Sequence, residues 1–130
     1  MFMYEALLRR AKSQSPIRVG LIGAGKFGSM FLAQVPSTPG LEVVAIADLF
    51  PDQARTTCAS IGWSKELIAQ TIFSEDAVEI MQRVELDVIV EATGDPIVGI
   101  THARHAIANR IHIVMVNVEA DVLAGSFLAQ

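Results

Sequence analysis

Apolar residues along this chain fall into two alternating patterns. Short apolar runs read as strands at residues 17–22, 42–47, 71–73, 87–91 and 111–116. The unbroken apolar centre Val88-Ile89-Val90 suits a parallel strand covered on both faces. Between the runs lie segments with helical signals. The first begins near Lys26 and fades before Pro36, because the residue ahead of a proline is biased away from the helical region. Pro36-Ser37-Thr38-Pro39-Gly40 is a loop. Pro51 fits the first turn of a second helix reaching about Ser60, and Gly62-Trp63-Ser64 interrupts it. The stretch 65–73 is ambiguous apart from the short strand at its end. Ser74 reads as the N-cap of a helix through about Arg83, with Glu75 and Asp76 in its first turn. Asp95 caps, and Pro96 opens, a helix to about Asn109 whose apolar positions are Ile97, Ile100, Ala103 and Ile107. Ahead of these elements, residues 3–11 read as a short helix, with Phe2, Leu7 and Leu8 available for one face. Ser13-Gln14-Ser15-Pro16 breaks it, and Glu119 onward has the look of another helix start.

This alternation implies a parallel sheet with helices on both faces. Right-handed crossovers favour strand order 3-2-1-4-5: an α/β, Rossmann-type doubly wound sheet with a helix appended at its N-terminus. Residues 1–16 are then helix and linker, and residues 17–130 the main domain. Ligands of such sheets bind beyond the carboxyl ends of the strands, where the order reverses. The loops at 23–28, 48, 92–96 and 117–121 all fall on that edge.

One of them carries chemistry. Gly23-Ala24-Gly25-Lys26-Phe27-Gly28 follows the first strand directly, and Asp48 ends the second strand twenty positions after the last glycine. Gly23 lets the chain leave the strand in a tight turn. Gly25, with no side chain, allows close approach of a pyrophosphate, and Gly28 allows the helix to pack closely on the sheet. The helix N-terminus offers N–H groups and a partial positive charge to phosphates. Asp48 can accept hydrogen bonds from the adenosine ribose hydroxyls. A lone G-x-G-x-x-G can be a glycine-rich turn that binds nothing; the flanking strands and the acid make this one a dinucleotide site.

Composition narrows the class further. The chain has 130 residues, 52% hydrophobic and 18% charged, which fits one globular domain with a sizeable core. No apolar run reaches the ~18 residues of a membrane span. The N-terminal Met1-Phe2-Met3-Tyr4-Glu5 is acidic where a signal peptide would be basic, which predicts a cytoplasmic protein and no membrane partner. A net charge of −4 argues against a general nucleic-acid surface. Arg9, Arg10, Lys12 and Arg18 read as a solvated face. Cys58, the one cysteine, excludes an internal disulfide and reads as a small packed residue.

Arg18-Val19-Gly20-Leu21-Ile22-Gly23-Ala24-Gly25 and Glu91-Ala92-Thr93-Gly94 resemble the NAD(P)-binding domain of homoserine-dehydrogenase-like oxidoreductases. The segment from His112 through Asn117-Val118-Glu119-Ala120-Asp121-Val122 resembles the branch that carries a C-terminal SAF-type domain. That branch includes proteins like 1-deoxy-D-xylulose 5-phosphate reductoisomerase. The resemblance covers residues 17–130. It departs from homoserine dehydrogenases where they place an Asn-Lys pair, since Val118-Glu119-Ala120-Asp121 has no lysine, and this puts homoserine chemistry in doubt. The resemblance implies an NAD(P)-dependent oxidoreductase acting on a small hydroxy or phosphosugar substrate. It also implies substrate and dimerisation regions beyond this chain, so the chain reads as a truncated part with little activity alone. The expected partners are a dinucleotide, a small-molecule substrate held through the absent region, and further copies in a homo-oligomer. A non-catalytic NAD-sensing regulatory module is the alternative.

The cofactor contacts expected are Gly23, Ala24, Gly25, Lys26, Phe27, Gly28, Asp48, Ala92, Thr93, Gly94, Asn117 and Glu119. Lys26 is either a phosphate contact or an exposed lysine at the helix start. Glu91 is either a nicotinamide or substrate contact or, the preferred reading, a hydrogen-bond partner of a neighbouring loop. Glu119 and Asp121 face substrate or cap a helix. His102, His105 and His112 read as surface or packing residues, and no metal site is expected. Met30, Met81 and Met115 read as core. The catalytic acid–base residue is not identifiable. Between NAD and NADP, Asp48 favours NAD, since its carboxylate repels a 2′-phosphate and no arginine follows it directly. The reductoisomerase resemblance points to NADPH instead.

Overall fold

The computed structural model of the protein describes residues 2–116. Five parallel strands form one sheet in the order β3-β2-β1-β4-β5: β1 (Ile17–Ile22), β2 (Leu41–Ala47), β3 (Ile72–Ser74), β4 (Val88–Glu91) and β5 (His112–Met115). This is the order expected from right-handed crossovers. β1 is central, with Ile22 beside Ala47 on one side and Glu91 on the other. The sheet order reverses there, between β1 and β4.

Helices cover both faces. On one face, α2 (Lys26–Gln34) and α3 (Pro51–Ser60) enclose a cluster that includes Leu21, Leu32, Ile46, Cys58 and Trp63. The Trp63 indole N–H donates to the Leu32 carbonyl at 2.8 Å, so the ring is buried without stranding its donor. Burial pushes the Cys58 thiol up to about 11, which makes it an inert packed group. On the other face, α5 (Ala77–Arg83) and α6 (Pro96–Ala108) close over Ile22, Ala45, Ile80, Met81 and Ile89.

Residues 65–70, ambiguous in the sequence, form a separate helix, α4 (Lys65–Gln70), because the Ser64 hydroxyl accepts the Leu67 N–H and starts a new turn. Other local expectations are corrected. Asp76, not Ser74, caps α5: its carboxylate accepts the Glu79 N–H, while the Ser74 hydroxyl accepts the Asp76 N–H one turn earlier. The buried stripe of α6 is Gly99, Ala103 and Ala106, and Ile97 and Ile107 are exposed. Small residues let the helix lie close to the sheet, so the larger isoleucines are displaced to its flanks. Met30 is also exposed, since α2 turns Gly28 and Leu32 inward instead.

The leading helix, α1 (Phe2–Lys12), buries none of its residues. Its backbone nevertheless touches the loop before β2. A Cβ on Gly40, whose φ is +82°, would stand 2.3 Å from the Leu7 carbonyl oxygen. The Gly40 carbonyl in turn accepts the Ile17 N–H at 2.7 Å. Among the described residues, no helix is long and apolar enough to cross a membrane.

Candidate dinucleotide site

β1 delivers the glycine turn to the sheet edge where the strand order reverses. Gly23 has a φ of +93°, a conformation that side chains disfavour, and a Cβ there would lie 2.8 Å from the Ala92 carbonyl oxygen. The turn is therefore wedged against the chain leaving β4. Gly28 is held as closely: a Cβ would stand 2.3 Å from the Gly23 carbonyl oxygen. Gly25 differs from both. It is the N-cap of α2, no side chain caps the helix there, and an added Cβ meets nothing within 4 Å. The start of α2 is thus a set of N–H donors beneath open space.

Asp48 follows β2 and reaches back to the same turn. One carboxylate oxygen accepts the Ala24 N–H at 2.8 Å and the other accepts the Phe50 N–H at 2.9 Å. Each oxygen keeps acceptor capacity, since an ionised carboxylate has about four lone-pair sites. A cavity of about 460 Å³ opens here, with Gly25, Asp48, Phe50, Thr93, Val98 and His102 among its lining residues. A second cavity of about 210 Å³ flanks Asp48 against Gln53 and Thr57 of α3.

The floor of the larger cavity holds a polar cluster. Glu91 ends β4 and is fully buried. Its carboxylate accepts the Thr93 backbone N–H at 2.8 Å and the Thr93 hydroxyl, and its other oxygen pairs with His102 Nδ1. Burial alone raises the Glu91 pKa, but the hydrogen bonds from His102 and Thr93 outweigh it and hold the carboxyl below the ordinary range. Glu91 thus binds its neighbouring loop, as preferred from the sequence. His102, read as a surface or packing residue, is instead largely buried and bonded to Glu91. The available signal was its place on the small-residue stripe of α6, one turn after Gly99. Among the described residues, no group of three or more His, Cys, Asp or Glu could hold a metal ion.

Residues 17–116 match the model of the Gfo/Idh/MocA oxidoreductase family, described as having an NAD-binding Rossmann fold. The chain belongs to that family. No curated protein matches it. Among solved structures, it is similar to a homoserine dehydrogenase from Thiobacillus denitrificans, with 22% identity and a TM-score of 0.72 over 88% of this chain and 26% of that one. It is also similar to a Lactobacillus casei myo-inositol dehydrogenase in complex with NAD(H) and myo-inositol. The identity there is 17% and the TM-score 0.70, over 88% of this chain and 32% of that one. The WlbA dehydrogenase of Bordetella pertussis, in complex with NADH and UDP-GlcNAcA, follows at 19% identity and a TM-score of 0.60, over 85% of this chain and 36% of that one. These likenesses are of fold. The chain spans about a third or less of the length of the first two.

The residues present fit the cofactor of this Gfo/Idh/MocA domain. The open space over Gly25 lies above an uncapped helix start, and the Asp48 carboxylate lies beside it. Lys26 is exposed on the first turn of α2. Ala92 and Thr93 line the opposite side of the cavity, and Gly94 follows them at a φ of +75°. Arg55, a conceivable 2′-phosphate ligand, is engaged elsewhere: it pairs with Asp52 at 2.5 Å and lies over the Phe73 ring at 4.8 Å. Asn117, Glu119 and Asp121 lie outside the described residues.

Proposed function

We propose that this chain is the cofactor-binding part of an NAD-dependent dehydrogenase acting on a small hydroxy or phosphosugar substrate. Residues 17–130 form the dinucleotide domain, and the substrate and dimerisation regions belong to a longer assembly. The observation that carries the reading is the open approach over Gly25 at an uncapped helix start, with the Asp48 carboxylate beside it. Bound there, the cofactor supplies a hydride acceptor or donor at its nicotinamide ring.

The chain's own residues bind and orient. Gly25 and the N–H groups at the start of α2 take the pyrophosphate. Asp48 accepts the adenosine ribose hydroxyls, with Gln53 and Thr57 lining the space beyond it. Ala92, Thr93 and Gly94 bound the nicotinamide side, and Asn117 and Glu119 are the further cofactor contacts of this reading. NAD is favoured over NADP because Asp48 repels a 2′-phosphate and Arg55 is already paired with Asp52. The similarity of 112–122 to the SAF-domain, reductoisomerase-like branch supports the phosphosugar option, and the inositol and homoserine dehydrogenases of like fold support a hydroxyl substrate.

Calorimetric titration of the chain with NADH and NADPH tests this. NADH is expected to bind more tightly, and Asp48→Ala to weaken it at least about tenfold, as loss of hydrogen bonds to a charged group does. Equal or tighter binding of NADPH refutes the NAD assignment. Unchanged NADH affinity in D48A removes the ribose contact.

A further inference from the structure

The Glu91–His102 pair is a larger commitment than the fold requires. Among the described residues, Glu91 is the one fully buried charged side chain. Burying such a group is costly unless it is paired and hydrogen-bonded, and a neutral side chain would end β4 as well. What the carboxylate does is bridge two elements. One oxygen fixes the Thr93 turn through both backbone and hydroxyl, and the other is held by His102 from the second turn of α6. The chain from Glu91 to Thr93 is in turn the surface against which Gly23 is wedged, with the Ala92 N–H donating to the Ile22 carbonyl at 2.8 Å. A shift of Thr93 therefore reaches the glycine turn through backbone atoms that have no slack.

We propose that His102 is a positioning residue for the dinucleotide: acting through Glu91, it sets the Thr93 turn and so the wall opposite the glycine loop. This rests on the dinucleotide reading of the cleft. His102 is the one imidazole lining the larger cavity, where the other titratable groups are the carboxylates of Asp48 from the end of β2, Glu75 ahead of α5 and Asp95 at the start of α6. On α5, which packs against α6, Glu79 and Arg83 pair with each other at 3.3 Å, and on β5 His112 is exposed. The His102 imidazole thus meets Glu91 directly, from the helix that forms this side of the cleft.

The test is NADH affinity of the 130-residue chain, measured by calorimetry, for wild type, His102→Ala, His102→Asn and Thr93→Val. His102→Asn keeps a neutral donor in place of Nδ1–H; Thr93→Val removes only the hydroxyl. H102A is expected to weaken NADH roughly tenfold. H102N should recover most of that affinity, because it restores a donor to Glu91 without the ring. H102A and T93V combined should cost less than the product of their separate fold-changes, because both act through one carboxylate. Wild-type affinity in H102A overturns the proposal, as does H102N binding no better than H102A. So does strict multiplicativity of the H102A and T93V losses. If H102A does not fold, H102N and T93V decide: near-wild-type affinity in H102N with weakened binding in T93V supports the role, and any other result removes it. A wild-type chain that binds no dinucleotide overturns the underlying site reading as well, whereas tight wild-type binding with indifferent variants overturns only the role of His102.

Discussion

Replacing Gly25 and Gly28 one at a time should separate two properties that a glycine-rich turn combines. A Cβ on Gly28 would stand 2.3 Å from the Gly23 carbonyl oxygen, about 1 Å inside an ordinary carbon–oxygen contact of ~3.3 Å. The obstacle is backbone, at the turn leaving β1, so relief requires α2 to move off the sheet. Overpacking of this kind costs about 1–3 kcal/mol, and each kcal/mol lowers Tm by about 4 °C in a chain of this size. A Cβ on Gly25 meets nothing within 4 Å, and its φ of −75° suits any residue. Gly25→Ala should therefore melt within about 0.5 kcal/mol of the parent. Ligand response should follow the opposite logic. NADH at 100 times its Kd stabilises the parent by about 2.7 kcal/mol, and G25A should lose most of that shift because its methyl group occupies the approach to the helix start. Differential scanning fluorimetry of the parent, G25A and Gly28→Ala, with and without NADH, reads both quantities. The reasoning fails if G25A keeps the full NADH shift, or if G28A melts with the parent.

Acid should act on the folded state through Glu91. Its folded carboxyl titrates below the unfolded value of ~4.3, so its contribution is present above that pH and is lost as the pH falls through the folded value. In urea melts the stability gap between wild type and Glu91→Gln should narrow between pH 7 and about pH 3.5; a constant gap contradicts this. Trp63→Phe removes the donor to the buried Leu32 carbonyl and should cost about 1–3 kcal/mol. Urea denaturation followed by circular dichroism checks it, and an unmoved midpoint shows that the hydrogen bond contributes nothing.

The strand order was legible because it depends on little more than the alternation of elements and the handedness of crossovers. Gly23 and Gly28 were legible because their roles follow from local backbone needs that a spacing records, whereas the bonds of Asp48 to the Ala24 and Phe50 N–H groups were not anticipated. The stripe of α6 was harder to read. Hydrophobic periodicity weighs large side chains, so it selected Ile97 and Ile107, whereas close approach to a sheet selects for smallness and used Gly99, Ala103 and Ala106. The cap of α5 was misplaced because Ser74, Glu75 and Asp76 stand together, and only geometry decides which side chain meets a free N–H. His102 was missed for a different reason. Its partner is eleven residues away on another element, and no periodicity connects a strand end to a helix interior.

The contact at Gly40 has a consequence for how this protein tolerates change at its front end. The leader meets the loop through a backbone carbonyl pressed on a residue without a side chain, so this one contact is blind to which side chains the helix carries. A methyl group at Gly40 would push the Leu7 backbone off its berth, and the position that guards the seating of the front end therefore lies in the loop ahead of β2, not in the helix itself.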